Sequence, residues 1–107
     1  MTHVSLAQRP GTIYTVTCEG HATGSLEMCA AISCLTGSLE GWVENSPHAV
    51  GKVLEIRPGF AQITFVPAEG ADGAAAACQG AFDLLQAGFL RLEATGSEYL
   101  SVEREEI

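Results

Sequence analysis

The chain is 107 residues long, with 47% hydrophobic and 17% charged residues, which suits one globular domain spanning 1–107 and argues against disorder. Thirteen acids against five Lys and Arg give a formal net charge of −8. Phosphate contacts need the opposite sign, so direct nucleic-acid binding is set aside, and the acidic surface suits solubility or a basic partner. No apolar run approaches the ~20 residues of a membrane span, and the start, MTHVSLAQRPG, lacks a basic region followed by an apolar one. The expectation is a cytoplasmic protein, with no membrane partner, whose Cys18, Cys29, Cys34 and Cys78 are reduced thiols and not two disulfides.

Residues 2–8 alternate weakly and are predicted as an edge strand. Arg9-Pro10-Gly11 is a turn signal, and 12–19 (TIYTVTCE), rich in β-branched and aromatic residues, reads as the strand paired to the first. Gly20 to Ser25 is a loop in which Ser25 or Gly24 caps a helix over 26–45. Met28, Ile32, Leu35, Leu39 and Trp42 recur at helical spacing and define its buried face. Gly37 and Gly41 either weaken that helix, by about 1 kcal/mol each relative to Ala, or let a neighbouring element approach closely. Ser46-Pro47-His48 ends the helix. Residues 49–56 and 60–66 form a second hairpin around Arg57-Pro58-Gly59, and 67–73 is a loop. A second helix covers 74–92 with a stripe of Cys78, Phe82, Leu85, Phe89 and Leu92. A last strand covers 99–104, before an acidic tail.

The order is β-β-α-β-β-α-β. Two amphipathic helices that must also cover a five-strand sheet are best packed on one of its faces. The fold class is therefore α+β: two layers, a mainly antiparallel sheet of about five strands with two helices on one face.

Chemistry is carried by few residues. Cys29 falls in the first turn of the first helix, where unpaired N–H groups and the positive end of the dipole favour an anion; the thiolate is the nucleophilic form of cysteine. With Met28 at zero and about 100° per residue, the apolar stripe spans about −40° to +40°, Cys29 lies near +100° and Cys34 near −120°. Cys29 thus flanks the buried face beside a cleft, on the side away from Cys34. His21 precedes it by eight positions, just past the second strand, and an imidazole beside a thiol acts as general base and then general acid. A Cys and a His at this spacing are also compatible with purely structural roles. Cys18 in a strand and Cys78 on a helix stripe read as small core residues, His3 and His48 as exposed, and Trp42 as core. Cys18, His21, Cys29 and Cys34 match no compact zinc spacing, so no metal is expected. No phosphate-binding or dinucleotide glycine pattern is present, and no cofactor is expected.

Gly20-His21-Ala22, then an acid two residues before a cysteine, then Cys29-Ala30-Ala31-Ile32-Ser33 resembles the signature of the ribosomal-processing cysteine proteases. The order of elements, the stretch Phe82 to Phe89 and the ending Tyr99-Leu100-Ser101-Val102-Glu103 are similar as well, so the resemblance covers nearly the whole chain. It implies a small α+β domain, a homodimer and a catalytic pair made of His21 and Cys29. It also implies a basic ribosomal protein precursor as substrate, the twenty-seventh protein of the large subunit, from which a short N-terminal extension is removed. Some phages use such proteases on capsid proteins. The chain departs from the pattern in a shorter stretch between His21 and Cys29 and in Glu27, where the family generally has Asp. The short stretch bears on substrate choice more than on chemistry. The alternatives are a non-enzymatic binding relative and a redox-sensing thiol protein that would pair Cys29 with Cys18 or Cys34.

Overall fold

The structure, a computed structural model, describes residues 1–21, 24–57 and 59–107, and for residues 52–57 the backbone alone. Ala22 of the GHA element, Thr23 of the loop and Pro58 of the second turn lie outside the described residues. The elements are β1 (Thr2–Arg9), β2 (Ile13–Glu19), α1 (Leu26–Asn45), β3 (Ala49–Arg57), β4 (Phe60–Pro67), α2 (Ala74–Thr95) and β5 (Leu100–Glu106). The expected order and the two-layer α+β class hold. The second helix runs about a turn past the predicted end, and the last strand takes up most of the acidic tail.

The sheet has the order β3-β4-β2-β1-β5. Neighbours are antiparallel except β1 and β5, which run parallel. The prediction of β1 as an edge strand is therefore corrected: β1 is flanked on both sides, by β2 and β5. Its weak alternation hid this, because Thr2, Val4, Leu6 and Ala7 are all buried, a pattern that fits an interior strand better than an edge.

The topology explains why both helices share one face. The β2–α1–β3 connection crosses one strand in one direction. The β4–α2–β5 connection starts from a strand antiparallel to β2 and moves the opposite way across the sheet. Two right-handed crossovers related in this manner place their helices on the same side. That side receives Val4, Leu6, Tyr14, Val16, Cys18, Ala61, Ile63, Phe65 and Leu100 from the strands, with Met28, Ile32, Leu39, Val43, Cys78, Phe82, Leu85 and Phe89 from the helices, in one core. Tyr14 stacks on Phe65 at 5.1 Å and tilts against Phe82 at 5.2 Å between ring centroids, and Trp42 meets Phe65 edge-on at 5.7 Å.

The buried face of α1 is rotated from the predicted stripe. Thr36 and Val43 are buried, whereas Leu35 and Trp42 are half-buried at its margin. The rotation turns α1 toward the side that carries Cys29. Thr36 is tolerated there because its hydroxyl donates to the Ile32 carbonyl at 3.0 Å. A Cβ at Gly37 or Gly41 would meet nothing within 4 Å, so neither admits a neighbour, and of the two readings of these glycines the close approach does not hold. The close approaches occur at Gly51, where a Cβ would overlap Val43, and at Gly88, where it would lie 3.0 Å from Leu35 Cδ2. At the β5 edge the Glu93 carboxylate accepts the Val102 amide at 2.7 Å, which blocks one exposed donor of that strand.

Candidate active site

The end of β2 delivers His21. Gly20, just before it, has φ +90 and could not carry a side chain, because a Cβ would overlap the Met1 carbonyl. The Gly20 amide donates to the Gly59 carbonyl at 2.8 Å, so the second turn is held against the residue that precedes His21. The imidazole itself is exposed and lies over Gly59: a Cβ built there would come within 2.7 Å of His21 Nε2.

The start of α1 delivers Cys29. Ser25 is the N-cap, in extended conformation, and its hydroxyl accepts the Met28 amide at 3.1 Å. The Cys29 amide donates to the Ser25 carbonyl at 3.2 Å, closing the first intrahelical bond. Cys29 is half-buried and packs on the core, as the helical angle predicted for a residue flanking the buried face. Its own N–H is committed to the helix. The amides of Leu26 and Glu27 take no acceptor among the described residues, and they are the donors this helix start still presents. Glu27 is exposed in the first turn and has no partner among the described residues, which fits an acid favoured there by the helix dipole.

A chain of contacts brings the two segments to the same end of the domain. The Thr2 hydroxyl donates to the Gly20 carbonyl at 3.5 Å and its amide donates to the Tyr99 carbonyl at 2.8 Å. The Tyr99 ring lies 3.7 Å from where a Cβ of Gly24 would stand, and a Cβ at Gly96 would overlap Met28, the residue before Cys29. Tyr99 and Gly96 thus join the strand that carries His21 to the helix that carries Cys29. The sequence reading placed Tyr99 only at the start of a strand and Gly59 only in a turn. Neither position has a local signal for this role, since both act across the fold.

The remaining thiols are placed for other ends. Cys18 is 5% exposed, and burial pushes its pKa up to about 12. Cys78 is fully buried with its thiol 3.5 Å from the His48 carbonyl, and burial raises its pKa as well. Both are therefore held as neutral core thiols, as predicted. Cys34 is exposed. His3 is exposed and its Nδ1 pairs with the Ser101 hydroxyl at 2.8 Å. His48, predicted exposed, is half-buried, and its backbone carbonyl also accepts the Ala68 amide at 2.9 Å. Among the described residues no three His, Cys, Asp or Glu side chains gather into a metal site, and no helix is long and apolar enough to cross a membrane.

No family model matches the chain, and no curated protein matches it. Solved structures do. SMU.848 from Streptococcus mutans is 19% identical, with a TM-score of 0.75 over 100% of this chain and 96% of that one. The essential ribosomal processing protease Prp from S. aureus, in complex with a covalently linked product peptide, is 14% identical, with a TM-score of 0.72 over 97% of this chain and 99% of that one. The same protease with a substrate peptide is 15% identical, with a TM-score of 0.68 and the same coverage. At these identities the likeness establishes a common fold, end to end: the chain has the fold of the ribosomal processing protease Prp.

Proposed function

We propose that the chain is a cysteine endopeptidase in which Cys29 is the nucleophile and His21 the general base and acid. The observation that carries the reading is the convergence of two segments on one end of the domain. One is the capped helix start bearing a half-buried cysteine, and the other is the strand end bearing an exposed histidine. The fold shared with a ribosomal processing protease captured with a covalently linked product peptide supports it.

In this mechanism His21 takes the Cys29 thiol proton, and the sulfur adds to the carbonyl carbon of a scissile peptide bond. The oxyanion faces the start of α1, where the Leu26 and Glu27 amides are available as donors. Collapse of the tetrahedral adduct breaks the C–N bond, and the imidazolium gives its proton to the leaving amine. Water, deprotonated by His21, then hydrolyses the thioester and restores the thiol. The substrate of this reading is an N-terminally extended large-subunit ribosomal protein, the twenty-seventh, acted on in the cytoplasm. The formal charge of −8 favours the approach of such a basic protein and predicts slower turnover at high salt. A homodimer belongs to the same reading, and its check is the mass in solution by light scattering.

The test is incubation of the wild-type protein, Cys29→Ala and His21→Ala with that precursor from the same organism, followed by intact-mass analysis. The reading predicts loss of an N-terminal peptide with wild type only. Cleavage that survives Cys29→Ala, or no cleavage with any of the three, overturns the assignment.

A further inference from the structure

We infer that Gly59 is the positioning residue of His21: the side chain it lacks is the space against which the imidazole rests. The consequence for catalysis rests on the Cys29/His21 reading above, whereas the contact itself does not.

Three observations meet at this position. Gly59 has φ +82, a conformation that residues with a side chain rarely adopt. Its carbonyl accepts the Gly20 amide at 2.8 Å, so the β3–β4 turn is tied to the backbone one residue before His21 and cannot drift from it freely. On the side where an L-residue would project its Cβ stands the imidazole, with Nε2 at 2.7 Å, Cε1 at 3.2 Å and Cδ2 at 3.3 Å from the Cβ position. At 2.7 Å something must shift, and the ring, at the far end of an exposed side chain, is the part that can, so a methyl group at 59 displaces it.

Exposure gives the contact its weight. His21 is exposed, so among the described residues no pocket encloses it to fix the rotamer, and the flat backbone of Gly59 is a wall that limits its swing. The atom nearest to that wall is Nε2, one of the two nitrogens able to exchange a proton. A shift of about 1 Å in a proton-transferring group costs on the order of a hundredfold in rate. The turn therefore acts on the chemistry without touching substrate, through the orientation of the histidine.

The control is built into the fold. Gly11, in the β1–β2 turn, has φ +76 and nothing within 4 Å of its Cβ position. Gly11→Ala therefore imposes the same kind of backbone strain with no imidazole in the way. Gly59→Asn complements Gly59→Ala, because Asn adopts positive φ more readily and still carries a Cβ.

The experiment reads the His21 ring by NMR in the full chain, together with the iodoacetamide rate of Cys29 at neutral pH. In wild type, cross-relaxation between the Gly59 Hα protons and the His21 ring protons is expected. In Gly59→Ala and Gly59→Asn the ring Cε1–H resonance moves, and the Cys29 rate falls about tenfold toward that of His21→Ala; in Gly11→Ala both stay at their wild-type values. The inference is overturned if wild type shows no Gly59–His21 cross-relaxation. It is also overturned if a folded Gly59→Asn keeps the wild-type ring resonance. If His21→Ala itself leaves the Cys29 rate unchanged, the Cys29/His21 reading fails, and the ring resonance still decides the role of Gly59.

Discussion

The Tyr14 phenol donates a hydrogen bond to Gln79 Oε1 at 2.7 Å and accepts one from the Gly11 amide at 2.7 Å. One fully buried side chain thereby ties the first hairpin turn to the second helix. Gln79 extends the link, donating to Gln8 Oε1 at 3.0 Å and to Asp83 Oδ1 at 2.8 Å. Tyr14→Phe keeps the ring contacts and leaves two partners unpaired. The expected loss of stability in urea unfolding is about 1–3 kcal/mol. A change within about 0.5 kcal/mol, the range of an inert surface substitution, would show the network to be dispensable.

Glycines in the helices and strands separate into two kinds. Gly37 and Gly41 have open space at the Cβ position, so replacing either by Ala is expected to raise stability by about 0.5–1 kcal/mol. At Gly51 a Cβ would overlap Val43, so Gly51→Ala is expected to lower stability by about 1–3 kcal/mol. Thermal melting of the three single variants checks the contrast, and a stabilised Gly51→Ala would refute the packing described there.

Alkaline pH is expected to destabilise the fold through Cys18. Burial raises its pKa from 9.0 to about 12, so between those values the unfolded chain loses a proton that the folded chain keeps. The unfolded state binds fewer protons in that window, and stability therefore falls as pH rises. The slope from this group approaches about 1.4 kcal/mol per pH unit, and Cys78, shifted in the same direction, adds to it. Denaturant unfolding at pH 8 and pH 10, for wild type and Cys18→Ala, should show a smaller drop in the variant. Equal drops would remove Cys18 as the cause.

The cap on α1 supports the candidate nucleophile directly. Ser25→Ala removes the acceptor of the Met28 amide and is expected to cost about 1 kcal/mol. Because Cys29 sits in the same turn, its alkylation rate should change while that of Cys34 does not. An unchanged Cys29 rate would separate the nucleophile from its cap.

Element types and order were legible because each segment carried its own period, two for the strands and 3.6 for the helices. The pairing of β1 with β2 was legible from the turn between them, whereas its second neighbour was not, since β5, a parallel partner ninety-odd residues away, leaves no local mark. Thr36 is absent from the predicted stripe because a hydroxyl breaks an apolar pattern, although that hydroxyl is satisfied within the helix and the residue is buried. At the site, the GHA and CAA-x-S residues pointed to His21 and Cys29, and the angle of Cys29 on its helix was readable from spacing. Gly59 and Tyr99 reach that end only through tertiary contacts, and turn or strand propensity says nothing about what a residue faces across the fold.

The most direct measurement of the central claim is the pH profile of thiol alkylation, resolved cysteine by cysteine by mass spectrometry, in wild type and His21→Ala. The Cys29/His21 pair predicts that Cys29 reacts fastest of the four thiols at neutral pH, with Cys18 and Cys78 protected by the fold, and that His21→Ala slows Cys29 alone. Equal rates for Cys29 and Cys34, or a Cys29 profile indifferent to His21→Ala, would contradict it.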